Sequence, residues 1–266
     1  MLSVEGICKT FNPGTINEKV ALRNVSAELP EGDFVTLIGG NGAGKSTFLN
    51  AVAGVYGVDQ GSIRIDGKDV TRLPEYKRAA VLGRVFQDPM MGTAANMEIG
   101  ENLALASRRG EHRGLKWGIR RRERETYRQL LRELELGLED RMTVKVGLLS
   151  GGQRQALALL MATLKKPKVL LLDEHTAALD PKTAEKVLEI SDRLISAHHL
   201  TTLMVTHNMR DAIKHGNRLI MMHEGQIVLD IKGAEKKNLT VEDLLERFGR
   251  VSGEEFANFV YWTGIR

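Results

Sequence analysis

The sequence predicts an α/β fold: a mostly parallel sheet, an N-terminal antiparallel β subdomain and an inserted α-helical subdomain. Three observations predict it. Apolar runs at 34–38, 169–172, 201–206 and 218–222 are separated by helix-type patterns. Strands that alternate with helices need right-handed crossovers, which lay the strands side by side in parallel. A glycine-rich segment, Gly39-Gly40-Asn41-Gly42-Ala43-Gly44-Lys45-Ser46-Thr47, joins the first of these runs to a helical pattern over 46–53. Residues 90–149 then lose strand patterning, become rich in arginine, and space Leu130, Leu131, Leu134 and Leu138 as a helix face does.

In chain order, Val4 and Ile7 belong to one strand-like run and Val20, Leu22, Val25 and Leu29 to another, with an Asn12-Pro13-Gly14 turn between them. Residues 62–67 read as a strand ending in a turn, and 80–86 as an apolar strand stopped by Gln87-Asp88-Pro89. After the helical insert, a helix follows Gly152 to near residue 165. The run 169–172 is too apolar to face water on one side. A helix over 181–197, a strand over 201–206, a short helix over 209–215 and a strand over 218–222 follow, and Glu224-Gly225 turns into a further strand. Thr240 and Asp243 start a last helix over 244–248 in capping-box fashion. The expected organisation is one domain over 1–250. Its α/β core with the β subdomain occupies 1–88 and 150–235, and its helical subdomain 89–149. A C-terminal helix and tail occupy 236–266, the tail carrying Phe256, Phe259, Tyr261 and Trp262.

The chain is 42% hydrophobic and 27% charged, as ordinary water-soluble proteins are. No apolar run reaches the roughly 18 residues that span a bilayer. The start, Met1-Leu2-Ser3-Val4-Glu5, lacks the basic and apolar regions of a secretory signal. Cys8 is the single cysteine, so no intrachain disulfide forms and a reducing compartment is expected.

The segment from Gly39 fits G-x-x-x-x-G-K-[ST] in its strand-loop-helix context. There the backbone N–H groups of Gly39, Asn41, Gly42, Ala43, Gly44, Lys45, Ser46 and Thr47 cup an anion, backed by the positive end of a helix. Lys45 is placed to reach β- and γ-phosphates, and the Ser46 hydroxyl to ligate Mg²⁺. A nucleoside triphosphate is the expected ligand. The apolar run 169–172 ends in Asp173-Glu174. At the C-terminal end of a parallel strand, these carboxylates face the same crevice as the phosphate loop. Asp173 is expected in the Mg²⁺ shell, and Glu174 to orient or deprotonate the water attacking the γ-phosphate. The sequence contains no N-K-x-D base-reading motif of a GTPase and shows no acceptor pocket of a kinase.

Leu149-Ser150-Gly151-Gly152-Gln153 places Ser150 and Gln153 at capping-box spacing and makes a second anion-binding helix N-terminus. With this LSGGQ segment the chain resembles the ATP-binding-cassette (ABC) family. The resemblance spans roughly residues 2–250 and keeps the family's motif order: phosphate loop, Gln87, signature, Asp173-Glu174, Ala178-Leu179-Asp180 and His207. It implies a P-loop NTPase core and two copies bound head to tail. Ser150, Gly151, Gly152 and Gln153 of one copy would then close over the γ-phosphate held by the other. It further implies that Gln87 contacts Mg²⁺ and the attacking water, that His207 contacts the γ-phosphate and Glu174, that Asp180 communicates between the two sites, and that Phe11 stacks on adenine. Two departures stand out. His175 occupies a position where Pro is common, and its ring is expected beside the Glu174 carboxylate, modulating hydrolysis with pH. Residues 155–161 lack the arginines that many members carry there.

With no membrane span, the chain moves solute only together with membrane subunits. The segment after Gln87 is where the family's cassettes receive a permease. Met90, Met91, Met97 and Ile99 there are either adaptable docking surface or core. Arg108, Arg109, Arg113, Lys116, Arg120, Arg121, Arg122 and Arg124 make a basic face, either solvated or membrane-proximal. Trp117 and Tyr127 alone make no evident base-stacking platform. The stretch from Lys45 to Ser150 is too short for the coiled-coil insert of repair-type cassettes, and translation-type cassettes usually carry two nucleotide domains per chain. No nucleic-acid partner is expected. The expectation is an ATPase at the cytoplasmic face of the cell membrane that powers a bacterial importer of small solutes, amino acids among them. Its partners would be a second copy, integral membrane permease subunits and a separate extracytoplasmic solute-binding protein. The alternative is a soluble cassette ATPase of iron–sulfur cofactor assembly.

Overall fold

The computed structural model describes residues 1–111 and 118–252. In chain order the elements are β1 (Leu2–Phe11), β2 (Lys19–Leu29), β3 (Phe34–Gly39), α1 (Lys45–Ala53), β4 (Gln60–Ile65), β5 (Lys68–Asp69), α2 (Glu75–Arg78) and β6 (Leu82–Val85). There follow α3 (Ile99–Ser107), α4 (Arg121–Arg132), α5 (Gly151–Thr163), β7 (Val169–Asp173), α6 (Pro181–His198), β8 (Thr201–Val205), α7 (Met209–Lys214), β9 (Arg218–His223), β10 (Gln226–Lys232), α8 (Ala234–Lys237) and α9 (Val241–Ser252).

The described residues form two sheets. An antiparallel sheet has the order β2-β1-β4-β5, its β1–β2 turn passing through Asn12 and Gly14 at φ 50° and 73°. The other sheet has the order β10-β9-β3-β8-β7-β6, parallel except at the β10 edge. Leu2, Val4, Ile7, Leu22 and Val25 of the antiparallel sheet share one core with Phe48, Leu49 and Val52 of α1 and with Leu171 and Leu203. This arrangement brings the C-terminal ends of β3, β8, β7 and β6 to one edge. Those ends lead into Gly39–Lys45, His207, Asp173-Glu174 and Gln87 respectively.

The expected strands are present to within a few residues at their ends, and the sequence reading passed over β5, α2 and α8, each four residues or shorter. One helical expectation is corrected. Leu134 and Leu138 do not lie on a helix with Leu130 and Leu131, because α4 ends at Arg132 and the chain reverses through Glu135 and Gly137 at φ 56° and 66°. Both leucines are nonetheless fully buried. Their spacing reported burial, which a loop folded back on the core satisfies as well as a helix does. They join Ile99, Leu103 and Leu131 in a core continuous with Leu157 and Leu159 of α5 and Leu170 and Leu172 of β7.

Ile99 is core, whereas Met91 is 70% exposed. Arg109 leaves the basic face, its Nη2 donating to Ala162 O at 3.1 Å, and Arg108 pairs with Glu123 at 3.0 Å. Arg121, Arg122 and Arg124 are exposed. Arg113, Lys116, Trp117 and the aromatic residues Phe256, Phe259, Tyr261 and Trp262 lie outside the described residues.

Candidate functional site

Every residue of β3 is buried, so the chain must leave the sheet abruptly at Gly39. Gly44 is the residue before α1, at φ 101°, and a Cβ there would stand 2.6 Å from Ala21 O. A Cβ on Gly39 would stand 2.2 Å from Met222 O. Neither position admits a side chain. No side chain caps α1, so its first N–H groups stay available to an anion. Lys45 is 7% exposed, and its Nζ donates to Gly39 O at 2.7 Å and Gly40 O at 3.0 Å. Burial pushes its ammonium pKa down, opposed by the nearby Glu174 and Asp173 carboxylates. The loop lines a cavity of about 330 Å³ that also takes in Phe11, Lys19, Ser46 and Glu174. Phe11 is braced edge-on against Tyr56, with ring centroids 5.2 Å apart. The cradle therefore fits a triphosphate with a planar base at the Phe11 end.

At the end of β7 the two carboxylates part company. Glu174 has φ 43°, a left-handed backbone unusual for this residue, and its N–H donates to Val205 O at 3.0 Å. Asp173 lines a cavity of about 630 Å³ with Asn50, Arg84 and Gln87. Glu174 lines the phosphate-loop cavity and a third cavity of about 530 Å³, which also contains His207. Glu174 Oε2 is 3.6 Å from His207 Nδ1. The neighbouring imidazole holds the Glu174 carboxyl below its usual range, and Glu174 raises His207 in return. Asp173 is raised by burial, against the pull of the Arg84 guanidinium.

Ser46, Asp173 and Gln87 offer only oxygen donors, the set that suits Mg²⁺. Among the described residues no cluster of three or more His, Cys, Asp or Glu side chains could hold a metal by itself.

The Ser150 side chain accepts from Gln153 N–H at 3.2 Å, and Gln153 Oε1 accepts from Ser150 N–H at 3.2 Å, closing a capping box on α5. A Cβ on Gly152 would lie 2.2 Å from Thr183 Cγ2, and one on Gly151 3.2 Å from Leu179 Cδ2. Gly152 thus permits the close packing of α5 on α6. Gly152→Ala is expected to overpack that contact and destabilise the chain by about 1–3 kcal/mol, measured by urea denaturation. An unchanged midpoint would mean that Thr183 yields freely. Asp180 caps α6, its Oδ1 accepting from Thr183 N–H at 3.1 Å. Ser150 is exposed, and among the described residues Ser150, Gly151, Gly152 and Gln153 line neither of the cavities that border the chain's own phosphate loop, nor those at Asp173 and Glu174.

The expectation for His175 is corrected. Its ring is 2% exposed and sits 3.0 Å from Ser191 Oγ in α6, turned into the core by the reversal at Glu174. Burial pushes its pKa to about 4, helped by His215, and Glu174 is not among the groups that act on it. The residue is neutral at physiological pH, which leaves it no charge with which to tune hydrolysis. It acts on stability instead. Its folded pKa of about 4 lies below the unfolded value of 6.5, so between those values the unfolded chain binds the extra proton. Stability therefore falls as pH drops from 6.5 towards 4, by up to about 3 kcal/mol. Thermal melts over this range should show a shallower loss for His175→Gln, and identical slopes would locate the loss elsewhere.

Sequence reading missed Arg84, Asn50 and Gln155. Gln155, in the stretch that departs from the family's arginines, is 1% exposed and donates to Phe86 O at 3.1 Å, tying the signature helix to the strand before Gln87. Arg84 had a signal, a charge inside an otherwise apolar strand.

Residues 22–177 match the family model described as ABC transporter. Over 253 residues the chain is 47% identical to the tyrosine transport ATP-binding protein of Clostridioides difficile (strain R20291), covering 93% of this chain and 98% of that protein. It is 33% identical over 247 residues to the energy-coupling factor transporter ATP-binding protein EcfA2 of Clostridium perfringens (strain 13 / Type A), covering 88% and 80%. Its fold is similar to the dimeric post-hydrolysis state of the ATP-binding cassette MJ0796 bound to ADP and Pi, with a TM-score of 0.73, 31% identity and coverage of 87% and 98%. Among the described residues no helix is long and apolar enough to cross a membrane. Since the matched segment runs from before the phosphate loop to beyond Glu174, and one relative matches almost end to end, the chain belongs to the ABC transporter family as an ATP-hydrolysing subunit that powers a transporter.

Proposed function

We propose that two copies of this chain close head to tail on two ATP molecules and so drive uptake of an amino acid, of the aromatic class, through separate permease subunits. One observation carries the dimer: the signature residues present a capped helix N-terminus yet border no cavity at their own phosphate loop. A second copy supplies the phosphate they would cover. The name of the Clostridioides difficile relative supports the amino acid, and the transport names of both relatives speak against iron–sulfur assembly. By the same reading the subunit sits at the cytoplasmic face of the membrane and works with an extracytoplasmic solute-binding protein. The chain acts as one domain over 1–250, with a C-terminal helix and tail over 236–266. The core lies at 1–88 and 150–235, and the insert 89–149 receives the permease near the exposed Met91.

The geometry supports the following division of labour. Phe11 stacks on adenine, and the loop N–H groups from Gly39 to Thr47 bind phosphate. Lys45 gives up the Gly39 and Gly40 carbonyls to reach the β- and γ-phosphates. Ser46, Asp173 and Gln87 would hold Mg²⁺. Bound there, Mg²⁺ neutralises charge on the phosphate oxygens. Glu174 takes a proton from the attacking water, or orients it, and Gln87 helps position that water. His207 steadies the Glu174 carboxylate and reaches the γ-phosphate. Asp180, at the N-terminus of α6, lies where a change at Glu174 passes to the other copy.

Purification from detergent-solubilised membranes tests the partner, an integral membrane protein being the expected companion. Deletion of the encoding gene should abolish most uptake of labelled tyrosine. Unchanged uptake of tyrosine and phenylalanine would overturn the amino-acid assignment.

A further inference from the structure

A single charged side chain joins the Asp173 carboxylate, read as metal-holding, to the rim of the cavity of about 630 Å³. Arg84 lies one residue from the end of β6, with its side chain 14% exposed. Nη2 donates to Asn50 Oδ1 of α1 at 2.7 Å and lies 3.4 Å from Asp173 Oδ2. Nη1 is 3.8 Å from Glu75 Oε1 of α2. The guanidinium stacks 4.5 Å over the Phe86 ring, and Nε is buried with no hydrogen-bond partner. Asn50, Glu75, Arg84, Phe86 and Asp173 all line the cavity of about 630 Å³ that also holds Gln87.

The two carboxylates differ in setting. Asp173 is 18% exposed and Glu75 is 52% exposed. The arginine is thus bound loosely to both, anchored through Asn50 and Phe86, with one donor unspent. A guanidinium resting on a carboxylate repels a divalent cation that needs the same oxygens, and the repulsion is poorly screened in a half-buried site. Asn50 and the Phe86 face allow the guanidinium to pivot without leaving the cavity.

We propose that Arg84 is a positioning residue that holds the Asp173 carboxylate as its counter-ion and swings to Glu75 when a divalent cation arrives with nucleotide. This rests on the reading of Asp173 as a metal-holding residue. The swing carries positive charge from the acidic strand end to the cavity rim. Arrival of the nucleotide's cation thereby changes the charge that the cavity presents.

Binding of Mn²⁺ in saturating ADP, read by electron paramagnetic resonance, tests this without hydrolysis. Arg84→Met should bind Mn²⁺ about tenfold more tightly, since the competing charge is gone. Glu75→Gln removes the second acceptor and should weaken Mn²⁺ binding about threefold. Arg84→Lys keeps the charge and should stay near the parent value. Affinity for metal-free ADP, measured by calorimetry, should hold within about twofold of the parent in all three, which a damaged fold would not allow. Glu75 is on the surface, so its variant folds even if methionine at position 84 does not. Parent-like Mn²⁺ affinity in Arg84→Met or Glu75→Gln overturns the proposal. Parent-like Mn²⁺ affinity in Asp173→Asn overturns the metal-site reading beneath it.

Discussion

Glu174→Gln is expected to bind ATP as the parent does, to hydrolyse it at least about a hundredfold more slowly, and to accumulate as an ATP-bound dimer. The substitution keeps the size of the side chain and removes its ability to take a proton. It leaves the backbone untouched, since glutamine tolerates φ 43° no worse than glutamate, and the N–H bond to Val205 O persists. The contact between Glu174 Oε2 and His207 Nδ1 loses its charge, so His207 should titrate at lower pH than in the parent. If ATP holds the copies together and hydrolysis parts them, a variant that cannot complete hydrolysis stays closed. Size-exclusion chromatography with ATP and Mg²⁺, alongside phosphate release, reads both effects. Turnover at the parent rate would remove Glu174 from the water-activating role. A slow variant that stays monomeric would instead remove the head-to-tail dimer.

The second large effect concerns Lys45. Lys45→Ala is expected to weaken ATP binding by at least about a hundredfold, measured by calorimetry, while the thermal midpoint without nucleotide moves little. Lys45 bonds to the carbonyls of Gly39 and Gly40 at the edge of a cavity open to water, so water replaces it when it is lost. Its burial already depresses its pKa, which means that the ammonium is held at some cost in the absence of phosphate. An anion in the loop relieves that cost. Binding is therefore where the loss should fall. Parent-like ATP affinity in this variant would show that the loop amides alone suffice.

Much of the fold was legible because its signals are local. A buried parallel strand needs an uninterrupted apolar run, and 169–172 supplies one whatever surrounds it. A phosphate loop needs glycines at the turn and a lysine at the helix start, all within Gly39–Thr47. The signature needs Ser150 and Gln153 three apart to cap one helix. These constraints act between neighbours in sequence, so spacing alone expresses them. The leucines of the insert were less legible. Leu134 and Leu138 are as buried as the periodicity suggested, yet left-handed residues at Glu135 and Gly137 take them off the helix.

The sequence by itself determined the loop read as the phosphate site, since the residues from Gly39 to Thr47 are consecutive and their backbone geometry is written in their glycines. Only the tertiary structure decided where the intervening side chains point. The reversal at Glu174 sends His175 into α6 and divides Asp173 from Glu174 between separate cavities. The crossing of α5 on α6 explains Gly152 through Thr183, and the neighbours of β6 place Arg84 against Asp173. Each of these depends on groups far apart in the chain and close only after folding, where sterics and charge between elements choose among orientations that local sequence leaves equal.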